Sequence, residues 1–163
     1  MQDEDSLRPL SRVMLGLGTV ALVIFALGGV TIVAFAPPGQ KTGLKARVIG
    51  VYRYDPRTQQ VTGDPSSHFT PDQAFAARVD WSSLPPTVSV GARWYNTLDE
   101  PVGGVGPAAA ATLASRDALV AVRTPPGLHN NLPGSYVLTV VRYSGGRAVE
   151  LLARETVLVE RVG

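Results

Sequence analysis

The chain has 163 residues, of which 45% are apolar and 17% charged, and a formal net charge of +2. That length allows one ordinary domain plus an accessory segment. The mild charge and the absence of cysteine exclude a nucleic-acid footprint, a disulfide framework, a thiolate metal site and a thiol nucleophile.

Residues 1–12 form a short polar tail that carries Asp3, Glu4, Asp5, Arg8 and Arg12. From Val13 to Ala36 there follow 24 residues with no charge and no Asn, Gln, His or Pro. As a helix this run would rise about 36 Å, enough for a hydrocarbon core of about 30 Å. It has no polar stripe of the kind a helix on a soluble core shows. Ala34-Phe35-Ala36 has the A-x-A form of a signal-peptidase site, with Arg8 and Arg12 upstream. Two features argue against cleavage. The apolar core is longer than the roughly 7–15 residues of a signal peptide. Pro37 and Pro38 follow the site, and proline fits the extended substrate pose of a protease badly. Residues 13–36 are therefore expected to stay as a transmembrane helix in the lipid bilayer. Arg12 abuts the run directly, which predicts an inside amino terminus and an extracytoplasmic carboxyl domain. The run has no G-x-x-x-G and no internal charge, so it reads as a simple single-pass anchor of the cell membrane.

Residues 37–44 are expected to be a juxtamembrane linker, and 45–163 a single all-β domain. "KARVIGVYRY" (45–54) is β-branched and aromatic, and it ends at the turn "DPRTQQ". "AFAARVDW" (74–81) alternates, placing Phe75, Ala77, Val79 and Trp81 on one face. "TVSVGARWY" (87–95) does the same with Val88, Val90, Ala92 and Trp94. "GGVG" (103–106) reads as a loop. "PAAAATLASR" (107–116) suits either one helical turn or an edge strand. "DALVAVRT" (117–124) is another alternating run. "SYVLTVVRY" (135–143) and "AVELLARETVLVE" (148–160) flank "SGGR", the pattern of a β-hairpin with a glycine turn. Short strands with turn signals between them predict an antiparallel sandwich.

"LPGSY" (132–136) resembles the turn that leads into the next-to-last strand of many immunoglobulin-like and fibronectin type III-like domains. There the tyrosine hydroxyl bonds back to upstream backbone, forming a tyrosine corner. Trp94 stands where such domains place a core tryptophan. With "FTPDQAFAARV" and "ARWY", these residues make the chain similar to the small Ig-like ectodomains of bacterial single-pass membrane proteins. The resemblance spans about residues 65–163 and lacks the paired cysteines of antibody domains. It implies an Ig-like β-sandwich behind one transmembrane α-helix and carries over no binding residue.

No chemistry-bearing constellation stands out. His68 and His129 fall in polar loops without a ligand partner at metal spacing. Asp99 and Glu100, in "TLDEP", read as a polar turn rather than a calcium site. "GGVG" has no following Lys or helix signal and is not a phosphate loop. There is no G-x-S-x-G. Trp81 and Trp94 are expected in the core, while Tyr95 points outward. No catalytic, cofactor-binding or metal residue is expected, and no cofactor. The sequence points to a membrane-anchored, non-enzymatic binding or assembly module of unknown protein partner, with an accessory subunit of a larger membrane complex as the alternative.

Overall fold

The computed structural model describes residues 41–124 and 128–161. The expected tail (1–12) and transmembrane helix (13–36) lie outside the described residues, as does the start of the linker. Among the described residues no helix is long and apolar enough to cross a membrane.

The described chain is mostly strand. In order it forms β1 (Arg47–Asp55), β2 (Gln60–Thr62), β3 (His68–Phe69), β4 (Phe75–Asp80), β5 (Ser89–Tyr95), β6 (Pro101–Ala109), a helix α1 (Ala110–Ser115), β7 (Leu119–Ala121), β8 (Gly134–Ser144) and β9 (Arg147–Val159). These make a four-stranded sheet, β2-β1-β4-β7, and a five-stranded sheet, β3-β9-β8-β5-β6. All pairings are antiparallel except β3 with β9. One hydrophobic core draws on both sheets, consistent with a β-sandwich.

Alternation builds that core. On β5 the inward Val90, Ala92 and Trp94 are buried, whereas Arg93 is exposed. On β8 the inward set is Tyr136, Leu138 and Val140, and β5 pairs with it in register, Ala92 opposite Val140 and Trp94 opposite Leu138. From the other sheet Phe75, Ala77 and Val79 of β4 and Val120 of β7 meet them. Ala76 of β4 is buried as well, because β1 and β7 cover the strand on both sides. Phe75 sits at the junction, stacked on Phe69 at 4.6 Å and edge-on to Trp94 and Tyr136, each at 5.5 Å. Each large apolar side chain so buried contributes on the order of 1.5–3 kcal/mol.

The ends follow local chemistry. Gly145 (φ 56°) and Gly146 (φ 77°) close the β8–β9 hairpin as a type I′ turn, a conformation that needs positive φ at both positions. The alanine run 107–116 takes both forms that suit it. Its first part ends β6, and the remainder winds into α1, since alanine is the best helix former. That helix buries Ala110 and Leu113. Trp81, in a short 3-10 turn, donates its indole N–H to the Ala118 carbonyl at 2.8 Å.

Two readings of the sequence need correction. "GGVG" is part of strand β6 rather than a loop. Its glycines hid the strand signal, because they bring no side chain to the pattern and register with β5 alone holds them extended. His68 is not in a loop either. It opens the two-residue β3, which pairs with Leu158 and Val159 of β9.

Candidate functional site

The residues singled out for chemistry stay apart. His68 is exposed and makes a 3.0 Å contact through Nδ1 with the hydroxyl of Ser67. His129 is exposed on the β7–β8 loop. Among the described residues no group of three or more His, Asp or Glu side chains is placed to hold a metal ion. The turn 96–100 is organised by Asn96, which is buried. Its Oδ1 accepts the N–H groups of Leu98 and Glu100, both at 2.9 Å, and its Nδ2 donates to Glu100 Oε2 at 3.0 Å. Glu100 is thereby committed to the turn, and Asp99 stands in the left-handed region at φ 59°. The polar-turn reading of "TLDEP" holds. Trp81 and Trp94 are core residues, as expected, and the Trp94 indole N–H donates to the Val120 carbonyl at 2.7 Å. Tyr95 is half-buried opposite Val137 on the outward row.

The Tyr136 hydroxyl is fully covered and has no partner at full hydrogen-bond geometry. Burial raises its pKa, and the backbone of Leu132, four residues upstream, opposes that rise. Leu132 is thus close to the hydroxyl without completing an ideal bond.

The most tightly built polar cluster ties the entry segment to β9. Glu150 Oε1 accepts the N–H of Thr42 at 2.8 Å and of Gly43 at 3.1 Å. Its Oε2 accepts the Thr42 hydroxyl and the Arg142 Nε–H, both at 2.8 Å. The hydrogen bond from Thr42, then that from Arg142, holds the Glu150 carboxyl below its ordinary value. Only 7% of the Glu150 side chain is exposed, so its pairing must be complete to offset desolvation. The Ala46 N–H adds a backbone bond to Leu152, at 3.1 Å. This cluster fastens the chain where it enters the domain.

A concave surface lies along β6, which ends the five-stranded sheet. On one side runs an open groove of about 780 Å³ lined by Arg93, Glu100, Gly104, Arg123 and Tyr143 among others. On the other lies a groove of about 450 Å³ lined by Tyr54, Gln59, Val105, Leu119 and Arg123. Gly104, Val105, Arg123 and Thr124 line both. A Cβ on Gly104 would stand 2.6 Å from the Ala92 carbonyl oxygen, and one on Gly103 would strike the Ala121 carbonyl. The glycines let β6 approach β5 and β7 closely. Arg93 stands opposite Gly104 in the register, so no side chain on β6 blocks it. Both arginines are exposed and neither has an ion pair among the described residues. The groove lining offers two arginines, the Glu100 carboxylate, the Tyr143 ring and the backbone of β6.

Arg93, Arg123, Tyr143 and Glu150 were not singled out from the sequence. The outward position of Arg93 in "ARWY" was legible, but its convergence with Arg123 depends on the fold. No protein-family model matches the chain, and no curated protein matches it significantly.

Proposed function

We infer that this protein is a membrane-anchored, non-enzymatic binding module, in which residues 13–36 anchor an Ig-like domain that faces extracytoplasmic partners. What supports the Ig-like part of the reading is the order of the strands. Taking β1, β4, β5, β6, β7, β8 and β9 as A, B, C, C′, E, F and G, the sheets run A-B-E and G-F-C-C′. That order is compatible with the partition of Ig-like sandwiches, with β2 and β3 as an excursion between A and B. Tyr136 near Leu132, and the buried Trp94 on the C-type strand, support the same assignment.

Anchoring rests on the sequence of 13–36. The Thr42–Glu150 latch begins shortly after Ala36 and holds the entry segment against β9. A binding role rests on the open β6 groove with its two arginines, which have no ion pair among the described residues. The test is alkaline extraction of membranes followed by intact mass and protease protection. The chain should resist extraction, keep residues 1–36, and expose its carboxyl domain on the extracytoplasmic side. A mass beginning at Pro37 or later would refute the anchor.

A further inference from the structure

We propose that the Gly104–Gly106 stretch of β6 accepts an extended, acidic segment of a protein partner as an added strand. The proposal deepens the binding-module reading but does not need the anchor. Sheet edges pair readily with another chain unless something blunts them, usually a charged side chain, a proline or a bulge. β6 has no charged residue, and its register irregularity falls at Gly106–Pro107, so the regular open edge is the short piece at Gly104 and Val105. Among the described residues, its ladder partner from Gly104 onward lies on the β5 side only. The strand ahead of this stretch is already closed, because the Arg123 N–H donates to the Val102 carbonyl. Pro101 and Pro107 bracket the stretch, so an added strand is limited to a few residues.

Side-chain space fits the same occupant. Successive side chains of a strand point to opposite faces. An added strand would send one set into the 780 Å³ groove and the other into the 450 Å³ groove. Arg93 lines the first and Arg123 lines both. With no ion pair of their own among the described residues, they favour carboxylates over cations on that strand. Glu100, the carboxylate of the groove lining, is already bonded to Asn96. Main-chain pairing would supply affinity, and the arginines the preference for acidic sequence.

The experiment uses the full chain, nitrogen-15 labelled, in detergent micelles. The probes are two blocked heptapeptides, one alternating Glu and Val and one alternating Lys and Val. The acidic peptide should shift the backbone amides of Gly104 to Gly106 and slow their hydrogen exchange. The basic peptide should do neither. Arg93→Glu with Arg123→Glu should weaken the acidic peptide about tenfold or more, while the Trp94 indole signal stays in place and reports an intact fold. Three results would overturn the proposal: equal binding of the basic peptide, shifts without slowed exchange (charge attraction alone), or concentration-dependent shifts of the same amides without peptide, meaning that a second copy takes the edge. None of these bears on whether the chain resists membrane extraction.

Discussion

Truncating Trp94 to alanine tests the core where the two sheets meet. Trp94 is fully buried on β5, its ring lies edge-on to Phe75 at 5.5 Å, and its indole N–H donates to Val120 of the opposite sheet. Loss of the ring costs roughly 3–5 kcal/mol through lost transfer and the cavity left behind. The Val120 carbonyl also loses a buried donor, which adds about 1–3 kcal/mol. Against a total stability of about 5–15 kcal/mol, the variant should have a much lower denaturation midpoint or no cooperative transition. Trp94→Phe keeps an aromatic ring and removes the donor, so it should fall between wild type and alanine. The assay is a denaturant melt of residues 41–163 followed by fluorescence. Trp81 is the other tryptophan, and being buried it reports unfolding in both variants. If Trp94→Ala left the midpoint unmoved, the packing argument would be wrong.

Tyr136→Phe should cost at most about 1 kcal/mol in the same melt, since the ring still packs and the contact with Leu132 falls short of a full bond. A cost near that of Trp94→Ala would mean that the corner bond is complete and holds the loop. Asn96→Ala should cost about 1–3 kcal/mol, because the N–H groups of Leu98 and Glu100 lose their acceptor, and amide exchange at both should quicken. Glu150 has a depressed folded pKa, so its contribution is fully present above the ordinary glutamate value of 4.5 and is lost as pH falls through the folded value. Melts at about pH 7 and about pH 3 should show wild type losing more stability on acidification than Glu150→Gln. Equal losses in the two proteins would remove Glu150 from the account of the latch.

Much of the architecture was legible in local pattern. The alternation of Phe75, Ala77 and Val79, and of Val90, Ala92 and Trp94, names the buried faces without reference to any partner, because side chains on a strand alternate by geometry. "SGGR" likewise specifies its hairpin, since the turn demands positive φ that glycine supplies freely. "LPGSY" marked the start of β8. What local pattern could not carry was anything held by a neighbour. The glycines of β6 have no strand preference and are extended only because β5 pairs with them. β3 is two residues long and exists through its parallel contact with β9. The candidate groove is of the same kind. Arg93 lies on β5 and Arg123 in the segment after β7, 30 positions apart in the chain, and Glu150 meets Thr42 across 108. Such convergence depends on how the sheets stack, and a periodicity that spans a few residues has no access to it.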